Sequence, residues 1–216
     1  IKEQYRFSQN GISFKEKLLL SLPTPAASLS SVLIHNVYIK FYTDIIKLDP
    51  VYVGMIYFWF NIWNTLNDPI FGVFIDKMKY NPKRGKFMYL MRVSVPFIIL
   101  CLIAMLFSNP SWPQRVIYLV LLGELFIFDT AFTIFSISNH CYFLVAAPTK
   151  EERVDVNILR GYIANFFSFF ATLVPSFLLV GNKDSNRLHI VAILMGVVAL
   201  NAAVYIVAVV MLKDKP

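Results

Sequence analysis

Charged residues are scarce in this sequence. Only 15% of its 216 residues are Asp, Glu, Lys or Arg, whereas 57% are hydrophobic and 20 are phenylalanine. Soluble domains carry about 25% charged and about 45 to 50% apolar residues, so the composition excludes an ordinary water-soluble fold. It predicts an integral membrane protein whose first partner is the lipid bilayer.

Cysteine is also scarce. The two cysteines, Cys101 and Cys141, both lie in apolar stretches, and their spacing fits neither a disulfide framework nor a metal cluster. The sequence has no nucleophile beside a base, no metal-ligand cluster and no phosphate-binding loop. We therefore predict that the protein is not an enzyme and that it holds no metal and no cofactor.

An excess of basic residues gives the chain a formal net charge of +7. These residues are concentrated in short loops between apolar stretches, which is typical of membrane topology and not of nucleic-acid binding. In a six-helix arrangement, most of them lie on the same side of the membrane as the N-terminus. The positive-inside rule therefore predicts that both termini lie in the cytoplasm and that no nucleic acid is bound.

Uninterrupted apolar runs are long enough for six transmembrane helices, because about 20 apolar residues cross the hydrocarbon core. The runs lack the alternation of a membrane β-barrel. We predict an all-α membrane protein with an N-terminal cytoplasmic segment (1–17), a six-helix bundle (18–212) and the start of a cytoplasmic linker (213–216). The predicted helices span 18–43, 52–75, 88–108, 115–143, 158–180 and 188–212.

Polar side chains interrupt the second apolar run at helical spacing. A carboxylate at the bilayer centre costs about 3 kcal/mol on insertion scales, so it needs a partner or a function. Asn61, Asn64 and Asp68 share one helix face and present oxygens that suit a small cation. The alternative is a stripe of hydrogen bonds between helices.

A second polar stripe runs along the fourth helix. Asp129, Thr133, Ser136 and His140 follow one another at steps of four, three and four residues, so they share a face that we expect to line water. His140 is either a proton relay or a structural histidine. Arg160, one turn into the fifth helix, is predicted to bind a hydroxylated or anionic solute or to clamp Asp68.

Three segments, in this order and at this spacing, resemble the major facilitator superfamily. They are "FYTD" (41–44), "NDPIFGVFIDK" (67–77) leading to "RGKF" (84–87), and "TKEERVDVNILRGY" (149–162). Within the superfamily they resemble the glycoside-pentoside-hexuronide:cation symporters, typified by melibiose carriers. The resemblance implies an N-terminal six-helix half that pairs with a C-terminal six-helix bundle in the same or another chain.

The resemblance also implies roles for individual residues. The cation-coupling positions look like Asn64, Asp68 and Thr133, where Asn64 replaces one of the family's two carboxylates, so that the coupling ion is H⁺ or Na⁺. The substrate cavity is expected to include Ser28, Asp129, Ser136, Asn139, His140 and Arg160. A cytoplasmic latch is expected from Gly72, Asp76, Lys77, Arg84 and Gly85.

These observations predict a secondary active transporter. It would move a small organic solute by alternating access, in symport with a cation or a proton. The alternative is a non-transporting membrane subunit that kept a facilitator-like bundle and anchors or docks a partner protein.

Overall fold

Helices and connecting loops make up the part of the chain that the structure describes, with no strand among these residues. The computed structural model describes residues 12–81, 85–181 and 187–212. For residues 174–181 it describes the backbone alone. The α-helices are α1 (Phe14–Ser21), α2 (Pro23–Val32), α3 (Pro50–Lys77), α4 (Phe87–Ala104), α5 (Gln114–Ala146), α6 (Lys150–Gly181) and α7 (Arg187–Met211). The predicted all-α fold class is confirmed.

Four helical segments of the described residues are long and apolar enough to cross a membrane. They are Phe14–Ile45, Phe87–Phe107, Gln114–Ala146 and Arg187–Met211. α3 and α6 coincide with the other two predicted spans and have sufficient length, but they carry more polar residues. That these two helices also cross the membrane stays a prediction, as does the division of the chain at residues 17 and 212.

The first predicted helix is interrupted between α1 and α2, and after α2 it continues with π-helical turns. Pro23 and Pro25 supply no amide hydrogen to the carbonyls four residues before them, and α2 begins at Pro23. The chain continues as π-helical turns over Leu33–Tyr38 and Phe41–Ile45. The α-helical period therefore does not predict side-chain directions in the second half of this span.

α5 lies between α3 and α4 at the centre of one group of helices, while α2 packs against α6 and α7 in another. Contacts between α4 and α7 join the two groups. Tyr38 and Tyr42 of the first span donate hydrogen bonds to the carbonyls of Leu102, in α4, and of Met105, just after it. Because lipid provides no hydrogen-bond partners, close packing and such bonds hold membrane helices together.

α6 begins at Lys150, ahead of the predicted start at residue 158. The Glu152 amide donates to the Thr149 hydroxyl at 3.3 Å, and the Thr149 amide donates to the Glu152 carboxylate at 3.2 Å, which is a capping box. The Ile12 amide also donates to Glu152, at 3.1 Å. Burial works to raise the pKa of Glu152, but these hydrogen bonds outweigh it and the pKa lies below its ordinary value. Hydropathy places the start too late because these first turns are charged.

Candidate functional site

Polar side chains of α3 and α5 meet along the seam between these two packed helices. On α3, Asn67 and Asp68 follow Asn64 by three and four residues, so both lie one turn from it on the same side of the helix. On α5, Asp129 and Thr133 lie one turn apart and face α3. We call these five residues the α3/α5 cluster.

Hydrogen bonds cross the seam at two levels. The Thr133 hydroxyl donates to Asp68 Oδ1 at 3.0 Å. One turn away, Asn64 Nδ2 donates to Asp129 Oδ1 at 3.2 Å, and Asn67 Nδ2 donates to Asp129 Oδ2. The cluster therefore brings together all three residues predicted for cation coupling, and it adds two that were not predicted there, Asn67 and Asp129.

The two carboxylates of the cluster differ in exposure. Asp129 is 2% exposed, and Asn67 beside it is completely buried. Asp68, by contrast, is exposed on the surface of the described bundle. Carboxylate, amide and hydroxyl oxygens are the ligands that hard cations take in proteins. The α3/α5 cluster contains all three kinds, and it is exposed at Asp68 and buried at Asp129.

A second polar site is a cavity of about 340 Å³ between α2, α5 and α6. Four of the predicted cavity residues line it, namely Ser28, Ser136, Asn139 and His140. Three further polar residues of the lining, Thr24, Ser31 and Ser168, were not predicted. Thr24 and Ser31 lie four residues before and three residues after Ser28, so helical spacing from Ser28 could have identified both.

Asp129 and Arg160, which the sequence placed with these residues, are not among the described residues that line the cavity. Arg160 is 5% exposed. Its Nε and Nη2 donate to the Leu20 carbonyl at 3.1 and 2.9 Å, and Nη2 also reaches Asn139 Oδ1 at 3.4 Å. The guanidinium lies 4.0 Å from the ring centroid of Phe143. In this arrangement the arginine fastens α6 to the end of α1, at the break before α2.

The predicted latch residues lie around the loop between α3 and α4. Gly72, Asp76 and Lys77 lie in the last turns of α3, Gly85 lies before α4, and Arg84 lies outside the described residues. Lys86 Nζ donates to the Asp76 carbonyl at 3.3 Å, so the residue before α4 contacts the end of α3. A role of these residues in gating stays a prediction.

Gly85 has a φ angle of 69°, in the left-handed region that costs other residues about 1 to 2 kcal/mol. We expect Gly85→Ala to reduce stability by about 1 kcal/mol, measured as a lower melting temperature of the purified protein. Gly72→Ala is the matched control, because a Cβ there meets nothing within 4 Å and alanine favours a helix. An equal melting temperature for Gly85→Ala and the parent protein would contradict the expectation.

Comparisons with known proteins place these sites in a family context. The family model described as MFS/sugar transport protein matches residues 19–216. The isoprimeverose transporter of Lactiplantibacillus pentosus is 22% identical over 200 residues, which cover 89% of this chain and 40% of that protein. The uncharacterized symporter YjmB of Bacillus subtilis (strain 168) is 25% identical over 150 residues, which cover 69% of this chain and 32% of that protein. The chain thus spans less than half the length of these relatives.

Proposed function

Because the chain belongs to the MFS/sugar transport protein family, we propose that it is part of a secondary transporter that moves a small polar solute by alternating access. The family is one of membrane transporters, so the predictions of an integral membrane protein and of no enzyme are confirmed. The solute, the coupling ion and the other half of the carrier belong to the proposal.

The polar cavity between α2, α5 and α6 is the observation that carries the proposal. A polar cavity inside a membrane bundle marks a pathway for water or a polar solute. Its described lining offers hydroxyl, amide and imidazole groups and no carboxylate, ammonium or guanidinium group. Such a lining suits an uncharged solute with several hydroxyl groups, such as a sugar, because it provides donors and acceptors without a fixed charge.

The coupling ion, H⁺ or Na⁺, is proposed to act at Asp68, Asn64 and Thr133. Asp68 lies next to the cavity-forming helix α5 through its hydrogen bond with Thr133, and its exposed position gives an ion access to it. An exposed carboxylate inside a span is stable only beside water or other protein. This supports a second six-helix bundle, in the same or another chain, that covers this face of α3.

The positions of the basic residues support cytoplasmic termini. In that orientation the loop between α3 and α4 lies on the cytoplasmic side, where Asp76, Lys77 and Gly85 are proposed to form part of the latch between transport states. The alternative function is a non-transporting anchor for a partner protein, and the polar cavity favours a solute over it.

A solute screen tests the proposal. The complete gene product is purified, uncharged sugars and polyols are tested for thermal stabilisation, and each stabilising solute is tested for counterflow in proteoliposomes. We expect Ser136→Leu, which places an apolar side chain in the cavity, to weaken solute binding about tenfold or more, by the cost of an unpaired or excluded polar group.

Thr130→Leu is the matched control for this experiment. It makes a similar change on α5, but Thr130 lines an apolar groove with Trp63 and Phe97 instead of the polar cavity. Equal loss of binding in both variants, or full binding in Ser136→Leu, would remove the cavity from the solute pathway. Absence of counterflow for every solute that binds would favour the anchoring function.

A further inference from the structure

An apolar groove of about 580 Å³ runs along α5 in the gap between α3 and α4. Both of these helices pack against α5, which forms the floor of the groove over residues 126–134. Trp63 and Phe74 of α3 form one wall, and residues 90–97 of α4 contribute the other. We call this space the α3/α4 groove. Its volume lies in the range of about 300 to 1,000 Å³ that holds small ligands, and the proposed transport function assigns no role to it.

The α3/α4 groove is separate from the polar cavity. Ile134 of α5 lines the groove, whereas Ser136, two residues later, lines the cavity. On a helix with 3.6 residues per turn these two positions lie about 160° apart. The groove and the cavity therefore lie on opposite sides of α5, and a ligand in the groove is not in the solute pathway.

The groove is also separate from the face of α3 that carries Asp68. Trp63 and Phe74 lie about 140° and about 120° from Asp68 around the helix, both on the same side. A second bundle that covers Asp68 therefore leaves the α3/α4 groove open to the lipid.

The rim of the groove is apolar. Phe74, Phe97 and Ile127 have exposed fractions of 52%, 51% and 54%, and all three line the groove. An exposed apolar patch of this kind marks a surface that contacts a membrane or another protein. In a membrane bundle the apolar partner that is always present is the acyl chain of a lipid.

One end of the groove is basic. Lys77 follows Phe74 by three residues and lies on the same side of α3, whereas Asp76 lies about 160° from Phe74. Lys86 Nζ donates to the Asp76 carbonyl at 3.3 Å, which places this ammonium group between the ends of α3 and α4. Neither lysine forms an ion pair with another described residue. Five of the eleven residues 76–86 are basic, which is typical of segments that bind acidic lipids.

We propose that the α3/α4 groove binds one phospholipid with an acidic headgroup. One acyl chain lies along the floor of the groove, which extends over about 12 Å of α5, and Lys77 and Lys86 bind the phosphate group. The groove is apolar along its length and basic at one end, which is the order of an acyl chain and its headgroup in a lipid. This inference goes beyond the proposed transport function and does not depend on it.

The charge of the loop also selects the leaflet. The positive-inside rule places the loop between α3 and α4 on the cytoplasmic side. The cytoplasmic leaflet carries a negative surface potential from its acidic lipids, and each nearby lysine or arginine strengthens their binding. The lipid in the groove is therefore expected to come from this leaflet.

Quenching of Trp63 fluorescence by brominated acyl chains tests the proposal. The complete gene product is reconstituted in vesicles of phosphatidylcholine with phosphatidylglycerol as a minor component, and the bromine is placed on the chains of one lipid or the other. The signal of Trp63 is the part of the emission that is lost in Trp63→Phe. We expect brominated phosphatidylglycerol to quench this signal about fivefold or more effectively per molecule than brominated phosphatidylcholine.

Two variants act at the two parts of the site. Lys77→Gln combined with Lys86→Gln should abolish the preference for phosphatidylglycerol, whereas Lys150→Gln, at an exposed lysine that begins α6, should keep it. Ile127→Phe fills the groove and should reduce quenching by both lipids. Leu119→Phe is its matched control, because Leu119 is also exposed on α5 but is not among the residues that line the groove.

The other outcomes overturn the proposal. Equal quenching per molecule by the two lipids indicates ordinary contact with the bilayer, and no quenching by either indicates that another part of the protein covers the groove. A preference for phosphatidylglycerol that persists without Lys77 and Lys86 removes the headgroup contacts. If the double variant is not monodisperse on size exclusion, the single variants decide, and each should lower the preference about fivefold. Because none of these measurements uses a solute, the proposed transport function is judged separately by counterflow.

Discussion

We expect the Asp68→Asn variant to lose ion-driven accumulation of solute while it continues to exchange solute across the membrane. Asp68 accepts a hydrogen bond from Thr133 at 3.0 Å, and an asparagine carbonyl oxygen accepts the same bond, so the fold is preserved. The substitution removes the exposed negative charge of the cluster. A charge interaction of about 3 kcal/mol corresponds to about a hundredfold change in ion affinity.

The measurement uses the complete gene product in proteoliposomes with an imposed Na⁺ or H⁺ gradient. Uptake against a solute gradient should fall to the level of equilibration, whereas counterflow of labelled solute should remain. Asp44→Asn is the matched control. Like Asp68, Asp44 is exposed and accepts a hydrogen bond from a threonine hydroxyl, that of Thr43 at 3.0 Å, but it lies at the end of the first span and outside the α3/α5 cluster. Driven uptake at the parent rate in Asp68→Asn would remove this residue from the coupling role.

The second large effect is expected at Arg160, on stability. Arg160→Met removes two hydrogen bonds to the Leu20 carbonyl, one to Asn139, and the contact with the Phe143 ring. Hydrogen bonds from charged groups contribute about 1.5 to 3 kcal/mol each, and an acceptor left buried and unpaired adds a cost. We expect a loss of several kcal/mol, on the order of 3, because the relief of burying a charge offsets part of it.

Thermal melting of the purified protein in detergent measures this effect. The melting temperature of Arg160→Lys should lie between those of the parent protein and Arg160→Met. An ammonium group keeps the charge but lacks the planar guanidinium that donates twice to the Leu20 carbonyl. Arg115→Met, an exposed arginine at the start of α5, should melt like the parent protein. A normal melting temperature for Arg160→Met, combined with weak solute binding, would instead place the arginine in the substrate cavity, as its position in the sequence suggested.

The helix positions in the structure can be compared with those that hydropathy predicts. The predicted spans 52–75, 115–143 and 188–212 lie within or close to α3, α5 and α7. Apolar runs locate such helices because length and hydropathy are local properties. The start of α6 was placed too late because the capping box at Thr149 and Glu152 lies in a charged segment.

The polar stripe of α5 shows where helical periodicity stops being informative. Asp129, Thr133, Ser136 and His140 share one face, and the sequence favoured a common environment for them. In the structure Asp129 and Thr133 contact α3, whereas Ser136 and His140 line the cavity with α2 and α6. The stripe extends over about 16 Å at 1.5 Å per residue, and packed helices cross at an angle, so one face meets different neighbours at different heights.

The sequence by itself determined the membrane class, the helical fold, the family and the residue types available for coupling, because composition, run length and motif spacing are written in the chain. Only the tertiary structure decided which residues are partners. In the structure Asp129 accepts hydrogen bonds from Asn64 and Asn67 of α3, and Arg160 donates to the carbonyl of Leu20. The partners of a buried polar group depend on how two helices pack against each other, and neither helix specifies that packing alone.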